Sequence, residues 1–178
     1  MSDEGAFPTK INPKYIPYTK DKDAVIACAV PIELDLAHVF KGHKVIVTGV
    51  PGAFTPTCTE QHIPDYLKNI QEFKDRGVHK VIVLSANDPF VMAAWGKALG
   101  YRDEENFFIF ASDPNAAISK QLGENYVADL TSAGFGLRLQ RYAAIVNNGD
   151  IKFLENEDSL GFTEISSAKN LLERLEMP

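Results

Sequence analysis

The segment from Val45 to Cys58, VIVTGVPGAFTPTC, constrains the fold more than any other part of the chain. Residues 45–50 form an apolar, mostly β-branched run, which is typical of a strand buried on both faces. Pro51 and Gly52 end that strand, because proline has no N–H to donate and glycine permits a turn. Apolar residues then recur every three or four positions, which is the period of a helix: Ile63, Leu67, Ile70 and Phe73. The sequence therefore predicts a strand-to-helix junction that contains Cys58.

A thiol at such a junction is a candidate nucleophile. Unpaired N–H groups and the positive end of the helix dipole favour an anion there. We therefore expect Cys58 to ionise more readily than an ordinary cysteine, and the thiolate is the reactive form. The alternative is that Cys58 is a small buried hydrophobic residue. The reactive interpretation is favoured by the polar neighbours Thr55, Thr57, Thr59 and Glu60.

Composition narrows the class of protein. The 178 residues are 45% hydrophobic and 24% charged, which is ordinary for a soluble globular protein, and we expect a single domain over residues 1–178. Eighteen basic and 24 acidic residues give a net charge of −6, which argues against nucleic acid or an anionic membrane as a partner. The longest apolar run, residues 24–30, is too short to span a bilayer.

We expect the protein to lie in the cytoplasm. The first residues, MSDEGAF, lack the layout of a signal peptide, and the final RLEMP is not a peroxisomal address. Two cysteines do not form a disulfide scaffold, so a reducing compartment is expected. The histidines show no metal-ligand spacing with either cysteine, and we expect neither a metal nor a cofactor.

The pattern along the chain predicts an α/β fold. Residues 1–23 contain three prolines and are expected to form an extended N-terminal arm. Residues 24–30 are interpreted as a buried strand or as an apolar segment beneath a loop, and residues 34–40 as a short helix. Pro64 is expected to kink the helix after Cys58, which then continues to Arg76.

Further strands are predicted at 81–84 and 107–110, each followed by a helix, and residues 124–140 are expected to form an irregular loop. Residues 142–154 predict a hairpin, because an Asn-Asn-Gly-Asp turn separates two apolar runs, and a final helix follows. This order predicts a mixed central sheet flanked by helices. It resembles the thioredoxin fold, although other three-layer α/β folds share the pattern.

Two arginines are candidates for the positive partner of Cys58. Arg141 precedes a predicted strand, where the sheet would hold it, and Arg138 lies three residues earlier in the predicted loop. A guanidinium stays charged and offers several donors in one plane, which suits an oxygen-rich transition state. The residues alone leave this choice open. Thr55 is likewise either a donor to the sulfur or a helix cap.

The motif Pro51-x-x-x-Thr55-x-x-Cys58 is similar to the active-site motif of the peroxiredoxins. The resemblance continues through residues 62–64 and 85–90 and through Arg141 before an apolar strand, and it covers most of residues 40–178. It is strongest to the branch of atypical two-cysteine enzymes and thioredoxin-dependent alkyl hydroperoxide reductases. The resemblance implies a thioredoxin-like fold and a thiol-dependent peroxidase that reduces hydrogen peroxide and alkyl hydroperoxides.

The same resemblance implies site residues. Cys58 would be the peroxidatic cysteine, with Thr55 as its hydroxyl partner and Arg141, rather than Arg138, as its guanidinium. Pro51 would shield the thiolate from water. The implied partners are thioredoxin as reductant and a second copy of the chain in a homodimer. An apolar rim for alkyl peroxides is a further hypothesis, with two residues as candidates: Phe54 and Phe135.

The chain departs from one pattern of that family, because no second cysteine lies near residues 161–164. Cys28 is the other cysteine of the chain, and the resemblance implies that it resolves the sulfenic acid of the partner subunit. The alternative is that Cys28 packs in the core. Other functions left open are a one-cysteine peroxidase recycled by an external thiol and a peroxide-sensing redox signalling protein. His62, one helical turn after Cys58, either tunes the site or fills a polar gap near Pro64, and the second interpretation is preferred.

Overall fold

A seven-stranded mixed sheet lies at the centre of the computed structural model, which describes residues 5–162 and 164–175. The strands of this sheet are β1 (Lys14–Tyr15), β2 (Ile32–Glu33), β3 (Lys44–Gly49), β4 (Val78–Ser85), β5 (Phe108–Ser112), β8 (Tyr142–Asn147) and β9 (Asp150–Asn156). A separate two-stranded sheet consists of β6 (Val127–Leu130) and β7 (Gly136–Leu139). The helices are α1 (Leu36–Phe40), α2 (Ile63–Lys68), α3 (Ile70–Asp75), α4 (Pro89–Ala98), α5 (Ala117–Leu122) and α6 (Ala168–Leu175).

The sheet has the strand order β2-β1-β5-β4-β3-β8-β9. Strands β3, β4 and β5 are parallel, whereas β8 pairs antiparallel with β3 and with β9. The predicted thioredoxin-like α/β fold, with a mixed central sheet flanked by helices, is confirmed. Part of the predicted N-terminal arm joins this sheet, because β1 pairs antiparallel with β5. The first four residues of that arm lie outside the described residues.

Apolar side chains cover both faces of the sheet. In β3, Val45 and Val47 belong to one core cluster and Ile46 to the other, as the two-residue period of a strand requires. Each such fully buried side chain stabilises the fold by about 1.5–3 kcal/mol relative to an exposed one. The continuous apolar run at 45–50 is therefore explained by burial on both faces.

The pairing of β3 with β8 brings two distant parts of the chain to the same end of the sheet. Gly49 is the register partner of Tyr142. A Cβ atom at Gly49 would lie 2.2 Å from Cε1 of the Tyr142 ring, so this position requires glycine. Arg141 consequently lies beside the end of β3, where the segment leading to Cys58 begins.

The helical segment after β3 is less regular than predicted. Residues Cys58–His62 form a π-helical turn, in which the Ile63 N–H donates to the Cys58 carbonyl five residues earlier. Pro64 then lies in the first turn of α2, where a missing N–H costs little. The helical irregularity thus lies at 58–62, before the position of the predicted kink at Pro64. The expected continuous helix to Arg76 is wrong, because the backbone breaks at Asn69 between α2 and α3.

Two other expectations are wrong. Residues 124–140 contain the antiparallel pair β6 and β7, with positive φ angles at Gly134 in their connection and at Gly136, where β7 begins. Residues 24–30 are neither a buried strand nor covered by a loop, since Ile26 and Val30 are 90% and 80% exposed.

Across residues 5–162 and 164–175, no helix combines the length and apolar character needed to cross a membrane.

Candidate functional site

Cys58 lies in the first turn of the helical segment after β3, and its side chain is fully buried. The backbone is already helical there, because the Thr59 N–H donates to the Thr55 carbonyl over 3.0 Å. Cys58 belongs to the same core cluster as Ile46. Its sulfur also contacts a cation, since Arg141 Nη2 donates to Cys58 Sγ over 3.1 Å. The structure therefore brings the predicted nucleophile and guanidinium together.

The Arg141 guanidinium is buried and held by several acceptors. Its side chain is 1% exposed, and Nε donates to the carbonyls of Leu160 and Gly161 over 3.3 and 3.2 Å. Nη1 contacts His62 Nδ1 at 2.7 Å. Nη2 donates both to Cys58 Sγ and to the Leu160 carbonyl over 3.2 Å, so the guanidinium is fixed against the thiol. A guanidinium held in this way can donate to the sulfur and to an anion bound beside it.

His62 is a neutral acceptor for Arg141. A guanidinium can only donate, so Nδ1 of His62 accepts, and Nε2 carries the proton that it donates to the Ser166 carbonyl over 3.1 Å. Burial, followed by the charge of Arg141, lowers the pKa of His62 to about 3. The interpretation of His62 as a polar gap filler was incomplete, because this side chain also orients the guanidinium. Its spacing of one helical turn from Cys58 was the available signal.

The neutral state of His62 predicts a pH dependence of stability. The unfolded chain binds a proton at this residue below its ordinary pKa of 6.5, whereas the folded chain does not until about pH 3. Between these values the unfolded state holds more protons, so the free energy of unfolding falls as pH falls, by up to a few kcal/mol. We expect His62→Asn, which keeps an acceptor for Arg141, to reduce this slope in denaturant unfolding.

The control for this pH series is His38→Asn, which changes an exposed histidine on α1. Between the folded and the ordinary pKa of His62, the free energy of unfolding of this variant should depend on pH as it does in the wild type. An unchanged slope in His62→Asn would show that His62 takes up its proton in the folded state near its ordinary pKa.

Glu157 joins Arg141 to Ser166 and so fixes both ends of the loop 157–166, whose carbonyls contact the Arg141 guanidinium. Its side chain is buried, and Oε1 accepts from the Ser166 N–H and hydroxyl over 2.9 and 2.7 Å. The Glu157 N–H donates to the Arg141 carbonyl over 2.8 Å. The Ser166 carbonyl accepts from His62 and from the Tyr66 hydroxyl. These contacts were not predicted, because they join residues that are far apart in the sequence.

Thr55 and Pro51 precede Cys58 by a few residues in the sequence, but neither side chain is hydrogen-bonded to its sulfur. The Thr55 hydroxyl donates to the Gly52 carbonyl over 2.6 Å, and no hydrogen bond joins Thr55 to Cys58 in the described structure. Both residues line a surface pocket of about 470 Å³, to which Arg141 also contributes. Phe135 lines this pocket as well, whereas Phe54 is 53% exposed outside its lining.

Arg138, the rival arginine, contacts the rim of this pocket. Its Nη1 donates to the Pro51 carbonyl and to Asn87 Oδ1 over 3.3 and 3.4 Å, and its Nε donates to the Phe135 carbonyl. Asn87 Oδ1 also accepts from the Ala53 N–H over 2.9 Å, so this amide supports the loop before Cys58. Arg141 therefore contacts the sulfur of Cys58, whereas Arg138 contacts Pro51 and Asn87 at the loop before Cys58.

Cys28 is exposed in the loop before β2 and is not part of a disulfide. The alternative that it packs in the core is therefore wrong. Its thiol contacts the Ile26 carbonyl at 3.5 Å. For residues 5–162 and 164–175, no group of three or more His, Cys, Asp or Glu side chains has the geometry to hold a metal ion.

Comparison with known proteins identifies relatives over nearly the whole chain. The redoxin family profile matches residues 14–172. A Lipomyces kononenkoae protein, whose name describes a peroxisomal peroxiredoxin, is 50% identical over 151 residues, which cover 85% of this chain and 88% of that protein. A Malassezia furfur protein, whose name describes a peroxiredoxin, is 41% identical over 90% of this chain and 93% of that protein.

A solved structure shares the fold and a third of the residues. The reduced Prx3 from Vibrio vulnificus, in complex with hydrogen peroxide, superposes with a TM-score of 0.80 at 32% identity. The match covers 99% of this chain and 100% of that chain.

Proposed function

This chain is a peroxiredoxin, a thiol-dependent peroxidase of the redoxin family, and on that premise we propose that Cys58 is its peroxidatic cysteine. The observation that carries this proposal is the 3.1 Å contact between Arg141 Nη2 and Cys58 Sγ. A guanidinium at this distance stabilises a thiolate and can also donate to a bound peroxide. We propose hydrogen peroxide and alkyl hydroperoxides as substrates, and the related Vibrio vulnificus structure with bound hydrogen peroxide supports the first of these.

In the first step the Cys58 thiolate attacks one peroxide oxygen. The S–O bond forms as the O–O bond breaks, and the second oxygen leaves as hydroxide or alkoxide and takes up a proton. The product is a sulfenic acid, in which the sulfur has been oxidised by two electrons. Negative charge moves from sulfur to the leaving oxygen, so a fixed donor such as Arg141 stabilises the transition state more than the ground state.

The surface pocket provides the proposed route for the peroxide. Pro51, Thr55 and Arg141 line it, whereas Cys58 lies buried behind them. The Thr55 hydroxyl, which donates to the Gly52 carbonyl, would turn towards the peroxide on binding. Phe135 in the lining and Phe54 nearby would provide apolar surface for an alkyl substituent.

In the second step we propose that Cys28 of a second copy of the chain resolves the sulfenic acid. The Cys28 thiolate attacks Cys58 Sγ, a disulfide forms, and the hydroxyl leaves as water after it takes up a proton. Thioredoxin would then reduce this disulfide. Exposed Cys28 and its exposed apolar neighbours Ile26 and Val30 support contact with another chain. Because Cys58 is fully buried, this step requires the π-helical turn at 58–62 to open.

The test of the cycle is a non-reducing gel after one equivalent of hydrogen peroxide. We expect wild type to form a covalent dimer and Cys28→Ser to remain monomeric, because the variant lacks the resolving thiol. Thioredoxin should convert the wild-type dimer back to monomer and sustain turnover. A wild-type protein that consumes peroxide but stays monomeric would indicate a one-cysteine cycle with an external thiol instead.

We propose the cytoplasm as the location, because a chain with two cysteines has no disulfide scaffold and is expected in a reducing compartment. The name of the Lipomyces kononenkoae relative makes the peroxisome the competing location. Fluorescence microscopy of the full chain, with the label at its N-terminus, distinguishes a diffuse from a punctate distribution.

A further inference from the structure

Lys97, near the end of α4, carries a buried ammonium group that the peroxide chemistry does not use. The residue is 7% exposed, and Nζ donates to the carbonyls of Lys22, Ala24 and Ala27 over 3.1, 2.8 and 3.0 Å. A lysine ammonium has three donors, so all of them are used. All three acceptors lie in residues 22–28, here called the cysteine loop, which ends at Cys28.

Apart from Lys97, the described structure gives the cysteine loop the half-buried side chain of Ala27 and one further polar attachment. Val25, Ile26 and Cys28 are exposed, so burial of their side chains contributes little to its position. Its second attachment is Asp23, which accepts from Arg102 Nε over 2.6 Å and from the Tyr18 hydroxyl over 2.7 Å on the surface. Surface ion pairs are weak, whereas hydrogen bonds from a buried charged donor are stronger. The position of the loop therefore depends mainly on Lys97.

The charge of Lys97 also lies close enough to interact with Cys28. Burial lowers the pKa of Lys97, and electrostatic interactions with Cys28 and Asp23 oppose that lowering. The ammonium thus contacts the backbone of the cysteine loop and interacts electrostatically with the sulfur at its end.

We propose that Lys97 is a positioning residue for the resolving step: it holds the cysteine loop on α4, so that Cys28 is presented to the oxidised Cys58 of the partner subunit in one conformation. This inference rests on the proposed role of Cys28. Lys97 contacts neither the peroxide nor Cys58, so it acts only on the second step. A held loop brings less conformational entropy to be lost when the disulfide forms.

The test compares Lys97→Met with Lys97→Arg. Methionine keeps the apolar stem but removes all three donors, and the freed carbonyls can bind water once the loop lifts. We expect disulfide formation between Cys58 and Cys28 to slow by roughly tenfold, as for the loss of a charged hydrogen bond. The oxidation of Cys58 in a single turnover should keep its wild-type rate. Arginine should restore most of the disulfide rate, because it also donates several N–H groups.

A second readout does not depend on the catalytic cycle. Amide hydrogen exchange of the cysteine loop, measured in the reduced protein, should be faster in Lys97→Met than in wild type and in the control Lys152→Met, which changes an exposed lysine on β9. If amide exchange of the cysteine loop is as slow in Lys97→Met as in wild type, Lys97 does not hold this loop, and the proposal is wrong. Faster exchange with an unchanged disulfide rate would overturn its role in resolution. Failure of wild type to form any Cys28-dependent disulfide would instead contradict the proposed function.

Discussion

Replacement of Cys58 by serine is expected to abolish peroxide consumption. A serine hydroxyl stays protonated at neutral pH and has no counterpart of the sulfenic acid, so neither the attack nor the oxidised intermediate is possible. The measurement is the loss of hydrogen peroxide in the presence of thioredoxin, thioredoxin reductase and NADPH. We expect the rate in Cys58→Ser to equal the rate without protein.

The matched control for this experiment is Cys28→Ser, which removes the other thiol of the chain. It should still lose one equivalent of thiol to one equivalent of peroxide at the wild-type rate, because the first step needs only Cys58. A circular dichroism melt of both variants checks that the buried position tolerates serine. Sustained turnover by a folded Cys58→Ser protein would exclude the proposed mechanism.

Replacement of Arg141 by lysine is expected to slow the oxidation of Cys58 by roughly 100-fold or more, the usual effect of removing one preorganised donor from a transition state. Lysine keeps the charge, but a single ammonium cannot contact Cys58 Sγ, His62 Nδ1 and the Leu160 carbonyl together, as the guanidinium does. The second-order rate constant of the first step, measured by rapid mixing with hydrogen peroxide, is the quantity to compare.

Arg138→Lys is the comparison for this prediction, since Arg138 lines the same pocket but contacts Pro51 and Asn87 instead of the sulfur. We expect its effect on the first step to be at least tenfold smaller than that of Arg141→Lys. Equal effects of the two substitutions would mean that the contact between the Arg141 guanidinium and Cys58 has no special role in the first step.

The local sequence was enough to predict the strand-to-helix junction around Cys58. The apolar run, the Pro51-Gly52 turn and the helical spacing after it act over a few residues, and the structure has β3 and a helical turn there. Predictions were wrong where an apolar stretch of sequence is not buried in the structure. Residues 24–30 are apolar but exposed, since Lys97 holds their backbone from α4 and leaves the side chains in solvent. The β6–β7 pair was missed because Gly134 and Gly136, on either side of Phe135, are typical of a loop.

The residues of the chain thus specified a nucleophile at a helix start, two candidate arginines and the order of strands and helices. The residues alone left the choice between the arginines open, the family resemblance favoured Arg141, and only the tertiary structure places its guanidinium against the sulfur. Pairing of Gly49 with Tyr142 brings Arg141 to the end of β3, and 83 residues separate it from Cys58 in the chain. His62 and Ser166, 104 residues apart, join the same network. Such contacts depend on strand register and side-chain packing across the whole sheet, and no local pattern in the sequence encodes those distances.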